Sequence, residues 1–244
     1  MPVSNTRGAA GRGVVREPDV VTARILALLA DEEVHRVVDI GCGRGGLAAA
    51  LVRRGYSVTG VDPSDLALDV ARARAPGARF LRAGAEAIPA SDSSFGAAIF
   101  HNALHHLPEG RMEAGIVEAW RLLRSGGVLV VVEPLASGSF FEAMRRVDDE
   151  TAIRAQALAA LTRFADRHDS SLVEDSQLDR ISRFSSVDEF LSYLCAADPS
   201  RQTVIDADRD AVTRDFLHHA EAVEGGLSLL RQPHMIRVLR KNAG

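Results

Sequence analysis

Cysteine is nearly absent: Cys42 and Cys195 are the only two in 244 residues. Two thiols cannot build a disulfide framework, which excludes the small cystine-stapled secreted folds. No apolar run approaches the roughly 18 residues that a membrane helix needs, and residues 1–16 lack the apolar segment of a signal peptide. A soluble, cytoplasmic chain with no membrane partner is therefore expected. A net charge of −4 supplies no basic field, so no nucleic-acid partner is expected either. Lysine is scarce too. Lys241 is the only lysine among 29 basic residues, a composition bias that carries no functional reading.

What is present is ordinary for a globular chain: 46% hydrophobic and 25% charged residues. The length suits one α/β domain with an appended lobe. Residues 1–17 read as a flexible tail. From residue 18 the pattern alternates. PDVVTARILALLA has helical spacing, RVVDI is a short apolar run, and LAAALVRRG is a helix stopped by Gly55. SVTGVD, ARFLRAG, FGAAIFHN and VLVVVEP read as further strands separated by helical segments. Such alternation predicts a parallel sheet covered on both faces. After Pro134 it stops. Residues 135–224 read as mostly helical, and 225–244 as two late strands flanking Pro233-His234, antiparallel to one another.

VVDIGCGRGG, at 37–46, contains Gly-x-Gly-x-x-Gly as Gly41, Gly43 and Gly46. A strand ending at Ile40 and a helix starting just beyond offer a ligand free N–H groups and a positive dipole end. Asp62, at the end of the second strand, can accept hydrogen bonds from ribose hydroxyls. A dinucleotide and an adenosine-like ligand fit these features equally. Asp39 separates them. A carboxylate beside a pyrophosphate is repelled, whereas one beside an ammonium and a sulfonium is welcome.

Asp39-Ile40-Gly41-Cys42-Gly43-Arg44-Gly45 resembles the first motif of class I S-adenosylmethionine-dependent methyltransferases. GVDPS (60–64) resembles the second, AEAIP (85–89) before SSFGAAIFHNALHHL the adenine loop and fourth strand, and WRLLRSGGVLVVVEP (120–134) the helix–turn–strand closing the core. The nearest subgroup includes quinone-biosynthesis and small-molecule methyltransferases. The resemblance implies a Rossmann-like, seven-stranded, mostly parallel sheet with helices on both faces. It also implies a helical lid after strand five, a cofactor-binding core over 18–134, and C-terminal strands completing the sheet.

The resemblance further implies S-adenosylmethionine as cofactor, S-adenosylhomocysteine as product, and a methyl transfer to an O, N or C nucleophile of a small molecule. The cofactor residues it points to are Asp39, Gly41, Cys42, Gly43, Asp62, Pro63, Ala85, Glu86 and His101. Where the family often carries an aspartate, this chain has Gly84, so adenine contacts fall to Ala85 N–H or Glu86. Gly96 replaces a second frequent aspartate. By location, His101 is the candidate general base and Glu133 the alternative. Asn102, His105 and His106 stand nearby, the two histidines read as packing beside the ligand.

His101-x-x-x-His105 lacks a third ligand, so no metal is expected. Asp148-Asp149-Glu150 reads as a charged helix face with Arg146 paired to Glu150, and Cys42 as a packing residue. Phe140, Phe141, Met144, Phe164, Phe184, Phe190 and Tyr193 can wall an acceptor pocket or form simple core. A monomer or homodimer is expected. The other readings are an RNA- or protein-directed methyltransferase, a non-catalytic S-adenosylmethionine-binding module, and a dinucleotide oxidoreductase that Asp39 argues against.

Overall fold

The computed structural model describes residues 19–243 apart from residues 33 and 109. The tail expected over 1–17 lies outside them. Asp19 caps the first helix, α1 (Val20–Ala30), accepting from the N–H groups of Val21 and Thr22. The chain then alternates through β1 (Arg36–Ile40), α2 (Gly46–Arg53), β2 (Ser57–Asp62), α3 (Asp65–Arg74), β3 (Arg79–Arg82), β4 (Phe95–His101), α4 (Met112–Leu122) and β5 (Leu123–Pro134). The short helix α5 (Ser139–Met144) and the long helix α6 (Thr151–Arg167) follow, then β6 (Ser170–Phe184). Next come α7 (Val187–Ala197), α8 (Arg201–Ala207), α9 (Arg209–His219), β7 (Glu221–Val223) and β8 (Leu227–Lys241).

The sheet runs β3-β2-β1-β4-β5-β8-β6, with β7 attached to β8. The pairs among β1 to β5 are parallel; β8 is antiparallel to β5 and β6. The mostly parallel sheet between helical layers is the expected class, but it has eight strands, not seven. One face packs Phe100, Val131, Ile116, Leu161 and Phe164 beneath α4 and α6. The other packs Ile25, Leu29, Leu51, Ile99 and Val130 beneath α1 and α2. Each apolar β5 residue is thus buried, on alternate faces, as a doubly covered strand requires.

Two expectations are amended. Residues 135–224 are mostly helical, with five helices, but also hold the 15-residue strand β6. That strand is mostly exposed and polar, so its sequence carries no apolar alternation. Cross-strand charge does the work instead: Asp175 stands opposite Arg237 in register, with their groups 2.8 Å apart. The second correction concerns the C-terminus, which is one strand, β8, running through Pro233. The proline sits where β5 leaves the sheet. Its carbonyl accepts from Leu135 N–H at 2.9 Å, and its ring lies where a Cβ on Gly138 would come within 2.4 Å. The carbonyl of Leu135, which the missing N–H leaves open, instead accepts from Arg154 at 2.9 Å and Gln232 at 2.8 Å.

A third cluster makes the lid its own small core: Phe140, Phe184, Phe190, Leu194, Val212 and Phe216. Phe164 instead belongs to the sheet core, edge-on to Trp120 at 5.2 Å.

Candidate active site

Strand order reverses between β1 and β4, and the carboxyl ends of the strands open there into a cleft, as open α/β sheets provide. The turn after β1 forms its floor. Gly41 has φ +72°, and a Cβ on it would stand 2.6 Å from that of Ala103. Gly45, also at φ +72°, caps α2 and would strike Ala71 at 2.9 Å. The special third glycine is thus Gly45, while Gly46 lies within the helix. The pattern that matters is Gly-x-Gly-x-Gly, not the dinucleotide spacing that Gly46 suggested.

Asp62 ends β2 at the cleft wall. Its oxygens accept from Gly43 N–H and Ser64 N–H, both at 2.9 Å, and retain lone pairs for a ligand's hydroxyls. Gly41, Gly43, Asp62, Pro63, Ala85 and Glu86 line this cleft of about 570 Å³; Asp39, Cys42 and His101 do not. Asp39 lies beneath the turn, 2% exposed, with Oδ2 lacking any hydrogen-bond partner among the described residues. Burial raises its pKa to about 7, against the help of Ala48 N–H at the start of α2, and the nearby Asp62 charge raises it further. Cys42 is buried and packed against Gly60. Burial and the same two carboxylates push its thiol well above the usual range, so it is no nucleophile.

Glu86 explains the missing aspartate. A Cβ on Gly84 would lie 2.6 Å from Glu86 Oε2, so the Glu86 carboxylate occupies the place of a side chain at 84. Arg111, across the cleft, pairs with it. The loop below is tied to α4: Ile88 N–H donates to Glu118 at 2.7 Å, and Arg121 donates to the carbonyls of Ile88 and Ala90.

A second cavity of about 400 Å³ lies under the lid. Asn102 and His106 line both spaces. Asn102 has φ +54°, a strained setting for a non-glycine residue. Its N–H is satisfied by Val132 O, yet its Oδ1 is buried without a partner among the described residues. His106 is open to the cavities; desolvation first and the charge of the adjacent His105 second lower its pKa.

Glu133 is committed elsewhere. Buried to 1% exposure, it accepts from the N–H groups of Ala103 (3.0 Å), Leu104 (2.9 Å) and His105 (3.3 Å), and bonds His105 Nδ1. Burial opposes its charge, but the His105 and backbone bonds hold its pKa below the ordinary carboxyl value. It clamps the 103–105 turn and lines neither space. His101 points to the α1 face of the sheet, half-buried, where burial lowers its pKa against the pull of Asp19 and Glu133. The expected pairing of Arg146 with Glu150 is replaced: Arg146 bonds Asp215, Arg145 bonds Asp149, and Glu150 joins Arg154 and Arg201 in the buried wall of the second cavity. Among the described residues, no cluster of three His, Cys, Asp or Glu side chains could hold a metal, and no helix is long and apolar enough to cross a membrane.

A glycine turn under a helix, an acid ending the next strand, and a cleft at the strand-order reversal define a Rossmann-like domain. Residues 37–127 match the family model of the methyltransferase domain. That segment resembles the methyltransferase domain, and the fold around it is Rossmann-like. It is 42% identical to an uncharacterized methyltransferase of Mycobacterium tuberculosis over 98 residues, which cover 40% of this chain and 39% of that protein. It is 35% identical to the demethylmenaquinone methyltransferase of Clavibacter sepedonicus over 117 residues, 47% of this chain and 46% of that one. These matches span less than half the length of either relative. A Bacillus halodurans protein assigned provisionally as a methyltransferase shares the fold at TM-score 0.64 and 20% identity, covering 91% of this chain and 99% of that one.

Proposed function

We propose that the protein moves a methyl group from S-adenosylmethionine to an O, N or C nucleophile of a small molecule. The observation that carries this reading is the junction: Asn102 and His106 stand between the nucleoside cleft and the lidded cavity. Two reactants placed on either side meet there.

The residues fit the cofactor. Asp62 has acceptor capacity left for ribose hydroxyls, and the buried Asp39 beneath the turn favours a ligand end of positive charge. Gly41 and Gly43 leave the backbone open to close approach. Ala85 and Glu86 line the adenine side, with Arg111 across from them. When bound, S-adenosylmethionine supplies an already activated methyl group. The protein's tasks are orientation, exclusion of water and removal of a proton where the nucleophile bears one.

His106 takes the base role first expected of His101. It borders both spaces, and its lowered pKa keeps the imidazole neutral, hence able to accept a proton, at pH 7. His105 and Glu133 act behind it as positioning residues, with the Glu133 clamp fixing the 103–105 turn. Asn102 Oδ1 accepts a hydrogen bond from whichever ligand presents a donor at the junction.

The test combines ligand binding and transfer. S-adenosylhomocysteine raises the thermal midpoint and NAD does not; a response to NAD alone overturns the reading. Label from methyl-labelled S-adenosylmethionine then appears in small molecules of a metabolite extract. Incorporation lost on ribonuclease treatment would replace the small-molecule acceptor with RNA.

A further inference from the structure

Resting on that methyltransferase reading, we propose that the acceptor carries a carboxylate, which binds at Arg180, while its nucleophile lies at Asn102 and His106. Most charges in the lidded cavity cancel. Arg154 donates to Glu150 at 2.9 and 2.6 Å and to Leu135 O at 2.9 Å. Arg201 donates to Asp148 at 2.7 Å and to Glu150 at 3.0 Å. Two buried cations thus face two acids, and none of the four has charge to spare for a ligand.

Arg180 is different. It projects from β6 into the same cavity with one hydrogen bond, to Tyr193 Oη at 3.2 Å, and no ion pair among the described residues. The carboxylate that feels its charge is Asp19, whose oxygens are occupied by Val21 N–H, Thr22 N–H and the Thr22 hydroxyl. Burial, with Arg180 among the further causes, holds His234 near pKa 4, so that imidazole stays neutral. At His101 the pull of Asp19 and Glu133 outranks the push of Arg180. An uncompensated guanidinium in a partly closed space is a ready carboxylate partner.

One guanidinium matches one negative charge, which favours a carboxylate over a dianionic phosphate. Asp198 lines the cavity too, with Ser200 N–H donating to its Oδ1, and its charge repels an anion placed beside it. Phe140, Met144 and Tyr193 offer apolar cover for a carbon skeleton. The ligand's orientation follows: acid at β6, reacting atom at the junction.

The probes are benzoate and phenylacetate beside their neutral amides, titrated by saturation-transfer NMR with and without S-adenosylhomocysteine. Each acid binds the wild type at least about tenfold more tightly than its amide, the size expected of one charge-assisted pair. Arg180→Met abolishes that preference and Arg180→Lys keeps part of it. Amides binding as well as acids, or a preference that survives Arg180→Met, overturns the proposal. The dissociation constant for S-adenosylhomocysteine, measured on the same samples, reports folding and keeps the readings separate. Failure of the wild type to bind it would sink the methyltransferase reading, while the acid–amide comparison without it still decides the anion site.

Discussion

Asp39→Asn separates the cost of a buried charge from the packing of the residue that bears it. The folded-state pKa of Asp39 is about 7, against an ordinary 3.8, with burial as the largest cause. A raised carboxyl pKa means the folded state holds its proton more tightly than the unfolded state does. The stability it brings is full below the ordinary value and is lost as pH climbs to about 7. Integrating the linkage relation between pH 5 and pH 8 gives a loss of about 2–3 kcal/mol from this one group. Asparagine keeps the shape and does not titrate. Its amide adds a buried donor whose cost, about 1–3 kcal/mol, is independent of pH. The variant therefore starts level with or below the wild type at pH 5, and gains on it by about 2–3 kcal/mol by pH 8. Urea unfolding of both proteins at each pH reads this difference directly, because every other titrating group cancels. Parallel stability curves would refute the reasoning. The same substitution carries the functional argument. A cationic ligand end relieves the buried charge, so wild type binds S-adenosylmethionine, with its sulfonium, better than S-adenosylhomocysteine at pH 8. Asp39→Asn narrows that preference.

His106→Ala lowers turnover by about 10²-fold or more, the ordinary contribution of a positioned base, while His101→Ala, which borders neither space, costs less than about tenfold. Equal losses would return the role to His101. Because a base must be deprotonated, the wild-type rate falls with falling pH, with its midpoint below the ordinary imidazole value of 6.5; a midpoint above 6.5 contradicts the assignment. Glu133→Gln places an N–H₂ among three donating N–H groups, so stability falls by about 2–4 kcal/mol at pH 7. Since the Glu133 pKa is lowered, its contribution is present above the ordinary carboxyl value and lost in acid, so wild type and variant converge as pH falls. Arg201→Ala leaves Asp148 without that partner and Glu150 with Arg154 alone, which costs about 3 kcal/mol in urea unfolding. A loss under about 1 kcal/mol would show that α8 is not held through this pair.

The parallel half of the sheet was legible because its residues obey local rules. Val37, Val38 and Ile40, or Val128 to Val132, are buried on both faces and read as strands without any partner in view. β6 broke those rules. Its acids pair with Arg231 and Arg237 on β8 and with Arg24 on α1, contacts 52 to 150 residues away in sequence, and no window of neighbours contains them. Pro233 misled for a related reason. A proline demotes a strand only where the facing carbonyl goes unpaired, and the Arg154 and Gln232 side chains that reach Leu135 O are tertiary facts. In the site, Asp62 and the glycines were readable because the turn that holds them is local. The roles of His101 and His106 were not. They lie five residues apart, but the strand end turns His101 to the α1 face while the positive φ of Asn102 redirects the chain toward the cleft.

That redirection is also what couples the two halves of the site. Asn102 enters its strained conformation with its N–H held by Val132 at the end of β5, and Glu133, the next residue, then collects the N–H groups of Ala103, Leu104 and His105. One strand end therefore fixes the turn that floors the first cleft, through Ala103 against Gly41, and the histidine that faces the second cavity. A change at Glu133 should consequently weaken S-adenosylhomocysteine binding and methyl transfer together, whereas a change at Arg180 touches the acceptor alone. Measuring both constants in both variants distinguishes a shared scaffold from two independent sites. If Glu133→Gln impaired transfer with cofactor affinity untouched, the clamp would not be the common support argued for here.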